Sequence, residues 1–510
     1  MRLRTLGVSL ALVTIAAAGP KTRPVKTGPD LRSKIDAIVA QTPWLKQAFL
    51  GIDVVALPDG RALYQRDAER LFAPASNTKL FTTALALSTL GPQYRFTTTV
   101  VAQGAIDASG RLAGDLVFVG GGDPSLSARR YPYQKPVTGE KPQPFETIPA
   151  IEDLADQIAS RGIKAIDGDI VGDDRRYVWD PYPDGWSADD AVWEYGAPVS
   201  ALIVNDNAFT LWIRPGAHPG DLVRILTSPA GVPFTINNRV QTIAGGERKI
   251  HMDRLSGSSE LDVWGTIPES DEGMHELLAV NDPAVFAAFL LRDALTRRGI
   301  AVRGDACARH GFADTVADMK RGIALPQVTG TELARRTSPP LNELLQVTAK
   351  VSQNLHAEIM LREVGAVTCN MGTREAGHEE MKAFLAQAGI GDGDDHLVDG
   401  SGLSRLTLVT PVAVTKLLTF MYRSKNRQEW IPLLPIAGVD GTLRTRFDGH
   451  PEAARIHAKT GSLSHVRALS GYAESETYGP LAFSIIVNDS LASSSDISTF
   501  LDKIGLKLVE

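Results

Sequence analysis

The sequence predicts an α+β protein that carries a large β-rich insertion. Apolar residues three and four positions apart, typical of amphipathic helices, recur after residue 80 and again after residue 281. Between these regions, residues 98–275 show short alternating runs separated by Gly and Pro turns, which favour strands. At 510 residues the chain also exceeds the size at which a single hydrophobic core stops growing, so more than one domain is expected.

The N-terminus has the features of a secretory signal peptide. Arg2 and Arg4 precede an apolar run that ends in alanines at positions 16–18. The run at 6–18 is shorter than the roughly 20 residues that span a bilayer, which argues against the alternative of a membrane anchor. Residues 1–18 are therefore expected to be cleaved near Ala18. The protein is then expected in the periplasm or cell envelope, with at most a peripheral membrane contact.

The stretch from residue 30 to 97 is predicted to form a helix, a hairpin and a second helix. Residues 30–47 have a helical stripe that Pro43 interrupts, and strand-like runs at 49–57 and 61–64 flank a turn at 58–60. Ser76 is a preferred residue for a helix start and precedes an apolar helical run that Gly91 and Pro92 can end. A hairpin therefore leads directly into the helix of Ser76.

We interpret residues 98–275 as an insertion of one or two subdomains. Residues 30–97 and 276–510 then form one discontinuous domain. In its second part the pattern predicts helices at 283–298, 341–364, 381–388 and 412–424, three strands within 454–487, and a closing helix at 497–509.

Composition excludes several classes of protein. The chain has 53 basic and 59 acidic side chains; cleavage after residue 18 would remove two basic ones and leave a net charge of about −8, with no basic run. Nucleic acid and anionic membranes are therefore poor partners. No His-Glu-x-x-His or paired Cys-x-x-Cys occurs, so neither a metal nor a cofactor is predicted. For Cys307 and Cys369, one disulfide and two separate thiols stay equally open.

Ser76 and Lys79 are the first candidate catalytic residues. Positions three apart on a helix share a face, so the Lys79 amine can lie over the Ser76 hydroxyl as the base beside a nucleophile. The first turn of a helix also favours negative charge that develops there during attack. A Ser-x-x-Lys pair is expected by chance about once in a chain of this length, so the pair needs support from elsewhere.

Two further motifs give that support. Ser352-Gln353-Asn354 lies at a break between predicted helices, where its ordinary role would be a helix cap, and Lys459-Thr460-Gly461 lies on a predicted strand. The three motifs occupy a helix start, a loop between helices and an edge strand. Each is thus in the context that its part in acyl transfer by a serine requires.

In this order the motifs resemble the signatures of the serine penicillin-recognising enzymes. The long interval between the first two motifs is similar to that of one family, the D-alanyl-D-alanine carboxypeptidase/endopeptidases. These are the class C low-molecular-mass penicillin-binding proteins, of the penicillin-binding protein 4 type. Further stretches that resemble the family are 120–125, 195–207, 399–405, 434–443 and 458–463. Gln353 departs from it, since members often carry Asp or Asn there, and residues 308–336 fit no pattern of the family that we can name.

The resemblance implies both a fold and an activity. The fold is a β-lactamase/DD-peptidase-like catalytic domain, in which an antiparallel sheet is flanked by helices. The activity is that of a serine D-alanyl-D-alanine carboxypeptidase and DD-endopeptidase, which acts on peptidoglycan stem peptides and is acylated by β-lactam antibiotics. A serine β-lactamase or esterase is one alternative, which the long insertion argues against. A catalytically idle wall-binding protein is another, which the intact motifs argue against.

The same resemblance assigns the residues their roles. Ser76 would form the acyl-enzyme, with Lys79 as its base after burial and the second cation Lys459 have lowered the Lys79 pKa. Ser352 would pass a proton to the leaving amine, and Asn354 would hold the substrate amide and Lys79. The implied substrate contacts are Lys459 and Thr460 for a terminal carboxylate, Gly461 as the place where a peptide lies against the strand, and the backbone N–H of Ser462, with that of Ser76, as an oxyanion hole.

Asp173 is a more distant candidate, at the end of the segment Gly168-Asp-Ile-Val-Gly-Asp173 of the insertion. Its carboxylate could contact the cationic end of a wall peptide, because the family resemblance suggests that the insertion faces the substrate cleft. The alternative is an ordinary solvated acid in a turn.

Overall fold

A computed structural model describes residues 30–510 apart from 138, 140, 256, 314–327 and 371, so the predicted signal peptide lies outside the described residues. The helices are α1 (Leu31–Ala40), α2 (Thr78–Leu90), α3 (Pro149–Ser160), α4 (Pro283–Arg297), α5 (Leu341–Lys350), α6 (Asn354–Thr368), α7 (Arg374–Gln387), α8 (Pro411–Arg423), α9 (Arg427–Trp430) and α10 (Ser494–Leu508). The domain that carries the three motifs is called the catalytic domain below. Its strands are β1 (Phe49–Ala56), β2 (Ala62–Arg66), β16 (Asp395–His396), β17 (Leu408–Val409), β18 (Ile456–Leu463), β19 (Val466–Ser475) and β20 (Gly479–Asn488).

The strands between them are β3 (Thr97–Ile106), β4 (Arg111–Val119), β5 (Ala165–Ile166), β6 (Ile170–Val178), β7 (Ala208–Arg214), β8 (Arg224–Ser228), β9 (Thr235–Ile243), β10 (Lys249–Asp253), β11 (Glu260–Pro268), β12 (Met274–Ala279), β13 (Ala301–Val302), β14 (Ala306–Gly311) and β15 (Thr331–Thr337).

A five-stranded antiparallel sheet, in the order β18-β19-β20-β1-β2, is the centre of the catalytic domain. The N-terminal hairpin joins the C-terminal strands because β1 pairs with β20 along its whole length. The inner strands are buried on both faces, so both faces need a cover. Residues of α1 and α10 cover one face, and residues of α2 and α5–α8 cover the other. The predicted α+β fold, with an antiparallel sheet flanked by helices, is confirmed.

The insertion has a hydrophobic core of its own. Its largest sheet runs β13-β5-β4-β3-β15, with β6 paired to β4 and β14 paired to β6. Two three-stranded sheets, β10-β11-β9 and β12-β7-β8, belong to the same region. This agrees with the β-rich pattern of the sequence in this region.

The bounds of the insertion differ from those expected. The sequence interpretation ended it at residue 275, but α4 contributes to the core of the insertion, and β15 pairs with β3. The described residues of 276–337 thus pack with the insertion, and we propose 97–337 as its bounds. Of the stretch 308–336, the ends form part of β14 and β15, while 314–327 lies outside the described residues.

The structure also bears on the state of the two cysteines and on the question of a membrane-spanning helix. Cys307 on β14 and Cys369 after α6 are both free thiols, so of the two alternatives the structure has separate thiols. Within the described ranges, no helix has the length and apolar character needed to cross a membrane.

Candidate active site

Ser76 lies in a tight turn just before α2, whereas the sequence predicted it at the helix start. A 3₁₀ turn spans Ala75–Asn77, and Ala75 has a φ of +49°, a left-handed conformation that costs energy for a non-glycine residue. The Asn77 side chain donates to Ser470 Oγ at 2.7 Å instead of capping α2. The Ser76 hydroxyl is likewise not a helix cap, and its Oγ lies 2.9 Å from Lys79 Nζ.

The Lys79 amine is buried among oxygen atoms. Besides Ser76 Oγ, its Nζ contacts Asn354 Oδ1 at 2.7 Å and the Ser401 carbonyl at 2.8 Å. Burial lowers the pKa of Lys79 to about 7, against the opposing attraction of three acids, Asp399, Glu358 and Glu194. Since such an amine is partly unprotonated at neutral pH, it can accept the proton of the Ser76 hydroxyl.

The second motif lies in the turn between α5 and α6. Ser352 has a φ of +66°, which reverses the chain between the two helices. Ser352 Oγ accepts a hydrogen bond from Lys459 Nζ at 2.8 Å. Asn354 is the first residue of α6, and besides accepting from Lys79 it donates through Nδ2 to the Tyr195 carbonyl at 2.7 Å. The motif therefore links both lysines of the site.

The third motif lies on β18, the edge strand of the catalytic sheet. Lys459 is fully buried, and its Nζ also donates to the Thr460 carbonyl at 2.9 Å. Burial and the nearby Lys79 hold the pKa of Lys459 well below its usual value. Burial is the main cause of the low pKa of each amine, and the repulsion between the two amines lowers both pKa values further. Thr460 Oγ1 donates to Thr442 Oγ1 at 2.8 Å, a partner that the sequence did not indicate.

Gly461 serves the packing of β18 against the turn of Ser76. A Cβ atom at this position would lie 2.4 Å from the Pro74 carbonyl oxygen. Gly402 has a similar role, because a Cβ atom added there would lie 1.9 Å from the Ala75 carbonyl oxygen. The two glycines therefore leave room for the backbone around Ser76, whereas the sequence interpretation gave the space at Gly461 to a substrate peptide.

The three motifs line one open cavity of about 410 Å³. Of the predicted residues, Ser76, Ser352, Asn354, Thr460 and Ser462 line it. The two lysines contact these lining residues from behind. The other lining residues, which the sequence analysis did not name as site residues, are Asp190, Tyr195, Gly402, Leu403, Arg405, Thr442, Leu463 and Ser464.

Some of these missed residues had a signal in the sequence. Tyr195, Arg405 and Thr442 lie within the stretches that resemble the family, although no role was given to them. Asp190 lies in the segment 182–193, which is rich in acids, prolines and aromatic residues and to which the sequence analysis gave no role. In the structure, burial raises the pKa of Asp190 and raises that of the neighbouring Tyr195 to about 12.

Asp173 lies apart from this site. It is on β6, its side chain is only 3% exposed, and it forms an ion pair with Arg175 at 2.6 Å. It lines a separate cavity of about 380 Å³ in the insertion, together with Arg175, Arg176 and Arg335. It is not among the described residues that line the catalytic cavity, and it is not a solvated turn acid either, because its carboxylate is buried and paired.

The chain shares its fold with a solved penicillin-binding protein. A crystal structure of penicillin-binding protein 4 from Haemophilus influenzae matches 92% of this chain and 98% of its own, with a TM-score of 0.76 at 24% sequence identity. The same protein complexed with a β-lactam matches with a TM-score of 0.71 at 23% identity, over 93% of this chain and 98% of its own.

The chain belongs to the D-Ala-D-Ala carboxypeptidase 3 (S13) family, whose profile matches residues 31–505. It is 34% identical over 472 residues to a D-alanyl-D-alanine carboxypeptidase of Actinomadura sp. strain R39, over 90% of this chain and 81% of the relative. It is 27% identical over 424 residues to the D-alanyl-D-alanine carboxypeptidase DacB of Haemophilus influenzae, over 81% and 80% respectively. The family predicted from the three motifs is confirmed.

Proposed function

We propose that the protein is a serine D-alanyl-D-alanine carboxypeptidase and DD-endopeptidase that forms an acyl-enzyme on Ser76. The observation that carries the proposal is the contact of 2.9 Å between Ser76 Oγ and the buried Lys79 amine, whose pKa is lowered to about 7. The names of the Actinomadura and Haemophilus relatives support the substrate class. The Haemophilus structure complexed with a β-lactam supports inhibition by these compounds.

Acylation would begin with proton transfer from the Ser76 hydroxyl to Lys79. Ser76 Oγ then bonds to the carbonyl carbon between the two D-alanines, and the carbonyl oxygen becomes an oxyanion. Backbone N–H groups of Ser76 and Ser462 are the proposed donors to it, and a donor of this kind is typically worth ~3 to 4 kcal/mol in the transition state. When the C–N bond breaks, Ser352 passes a proton to the leaving amine and regains one from Lys459, its neighbour at 2.8 Å.

Deacylation would use the same groups in the reverse sense. Before this step, the proton that Lys79 took from Ser76 replaces the one that Lys459 gave to Ser352, so that Lys79 is a free amine again. A water molecule takes the place of the departed amine and gives a proton to Lys79 as it attacks the ester carbon. The Ser76–carbon bond then breaks, and Lys79 returns that proton to Ser76. Splitting the hydrolysis in this way replaces one difficult step by two easier ones.

Recognition of the substrate would rest on its carboxylate. Lys459 is buried behind the cavity, and Thr460, Thr442 and Arg405 line it. A carboxylate lies next to the scissile bond both in a terminal D-alanine and at the D-centre that donates the amine of a cross-link. The same groups can therefore hold either substrate, which is our reason for proposing both activities.

The experiment that tests the proposal starts with the intact mass of the protein with and without penicillin. We expect one covalent adduct on the peptide that carries Ser76, and its loss in Ser76→Ala. An adduct on Ser352 or Ser401 would overturn the assignment of the nucleophile. No adduct at all would favour the catalytically idle wall-binding protein.

Purified peptidoglycan fragments test the substrate. Pentapeptide should lose one alanine, and cross-linked muropeptides should release monomers. If penicillin labels Ser76 but neither product appears, the proposed wall hydrolase is refuted. Rapid turnover of a chromogenic cephalosporin would instead support the β-lactamase alternative. The predicted signal peptide places this activity in the periplasm or cell envelope, which fractionation of cells would test.

A further inference from the structure

Gln353, the residue at which the Ser-x-Asn motif departs from the family, is held by the insertion. Its side chain is buried, and its Nε2 donates a hydrogen bond to Glu194 Oε1. The next residue of the motif, Asn354, donates to the carbonyl of the next residue of the insertion, Tyr195. Two consecutive residues of the 3₁₀ turn Glu194–Gly196 thus hold two consecutive residues of the motif.

Glu194 is itself fixed by a chain of charged groups. Arg129 NH2 lies 3.6 Å from Glu194 Oε1, and Arg129 Nε donates to Asp206. Asp206 in turn lies 2.9 Å from Nε2 of His356, which is fully buried on α6. Gln353 directly precedes α6, and His356 lies on it. The insertion therefore contacts the start of this helix at two points, at Gln353 through Glu194 and at His356 through Asp206. Arg129, Glu194 and Asp206 all come from the insertion.

We propose that Glu194 is a positioning residue for the acylation of Ser76: it fixes the turn at 352–354 through Gln353. This inference rests on the proposed function. It gives the insertion a part in catalysis that does not depend on substrate binding. A turn that is held only by local contacts would let Ser352 and Asn354 move, and a displacement of about 1 Å in such a site can cost about 100-fold in rate.

The hydrogen bond from Gln353 does not depend on the charge of Glu194. Burial raises the pKa of Glu194 to about 7, Asp206 acts in the same direction, and Arg129 and Lys79 oppose it. Glu194 therefore changes its protonation state over the same pH range as Lys79, and in both states a carboxyl oxygen can accept from Gln353 Nε2.

Two substitutions test the hydrogen bond. Glu194→Gln keeps an oxygen that can accept from Gln353, whereas Glu194→Ala removes it. The measurement is the second-order rate of acylation by penicillin as a function of pH, with the melting temperature of each variant. For Glu194→Gln we expect a plateau and an acidic limb close to those of the unchanged protein. For Glu194→Ala we expect the plateau to fall about 10-fold or more.

The controls keep a structural effect apart from positioning. Asp174→Asn removes another buried carboxylate of the insertion, which contacts Ser200 and His310, and it should lower the melting temperature without moving the acidic limb. The exchanged pair Glu194→Gln with Gln353→Glu restores the hydrogen bond, so its plateau should recover relative to Gln353→Glu alone.

Each result bears on the proposal. A plateau in Glu194→Gln as low as that in Glu194→Ala would overturn the positioning role, because the lost hydrogen bond would then not account for the lower rate. An equal fall of the plateau in Asp174→Asn would overturn it as well. A plateau in Glu194→Ala equal to that of the unchanged protein would overturn the positioning role. Failure of penicillin to acylate the unchanged protein would overturn the proposed function, and this inference with it.

Discussion

Lys79 and Lys459 are both buried amines, but they face different groups. Lys79 contacts the nucleophile Ser76, and Lys459 contacts Ser352 and the backbone of its own strand. Burial and the nearby Lys79 lower the pKa of Lys459 and so weaken its hold on its proton. A carboxylate that enters the cavity would favour the ammonium form, because an opposite charge nearby offsets the loss of hydration. The bound substrate should therefore raise the pKa of Lys459.

The difference between the lysines predicts different effects of arginine. Lys79→Arg should stop acylation, because a guanidinium does not release its proton and cannot act as the base. Lys459→Arg keeps a cation for the substrate carboxylate and should retain part of the rate. Penicillin labelling of both variants, followed by mass spectrometry, gives the comparison. Equal residual rates would contradict the separate roles.

The pH dependence of acylation should follow the free amine of Lys79. Since its pKa is lowered to about 7, the amine is protonated and inactive as a base below that pH and free above it. The rate of penicillin acylation should thus rise through pH 7 and reach a plateau about two units higher. Stopped-flow or quenched labelling between pH 5 and 9 measures this profile. A rate that rises only above pH 9 would mean that Lys79 keeps an ordinary lysine pKa.

At the scale of residues, the sequence predicted the members of the three motifs but not the acids that surround them. The three motifs named Ser76, Lys79 and Lys459, and these come together as expected. Glu358, an acid that acts on Lys79, was missed because it forms an i,i+4 pair with Arg362, a spacing typical of exposed helix surfaces. Both side chains are in fact buried, and local spacing does not distinguish the two cases.

At the scale of elements, the close packing of β18 against the turn of Ser76 can be tested at Gly461. In Gly461→Ala the added Cβ would collide with the Pro74 carbonyl oxygen, which is backbone and cannot rotate away. We expect a loss of about 1–3 kcal/mol in the free energy of unfolding, together with a large loss of acylation, because Ser76 must shift.

Gly391→Ala is the matched control, since no atom lies within 4 Å of a Cβ placed there. Urea denaturation and penicillin labelling of both variants give the two quantities. If Gly461→Ala acylated at the rate of the unchanged protein, the contact with the Pro74 carbonyl would not govern the position of Ser76.

The sequence predicted the local helices and strands. It did not predict with which other elements several of them pair or pack. The hairpin of β1 and β2 and the strands near the C-terminus were predicted from alternation and turn residues. The pairing of β1 with β20 joins Phe49 to Asn488, and no local pattern encodes a partner so far along the chain. The helix α4 was assigned to the wrong side of a boundary for the same reason: its amphipathic face predicts burial, but not the sheet against which it is buried.

At the scale of the whole molecule, the insertion and the catalytic domain are joined through charged groups on α6. Glu363 of α6 is fully buried and accepts hydrogen bonds from Arg176 Nε at 2.9 Å and from the Tyr177 hydroxyl at 2.8 Å, both on β6 of the insertion. The Tyr94 hydroxyl also donates to it. The same helix begins with Asn354, so one element carries both a catalytic residue and the anchor of the insertion.

Removing this anchor should affect stability and activity together. Glu363→Ala leaves Arg176 and two tyrosine hydroxyls without their shared acceptor, and we expect a loss of about 3 kcal/mol in the free energy of unfolding. Acylation of Ser76 should also slow, because α6 positions Asn354 beside Lys79. Asp392→Asn, which breaks an exposed ion pair with Lys382, is the control and should change neither quantity measurably. Urea denaturation followed by tryptophan fluorescence, with penicillin labelling of the native variants, measures both. A Glu363→Ala protein that is destabilised but acylates at the normal rate would show that α6 keeps Asn354 in place without the insertion.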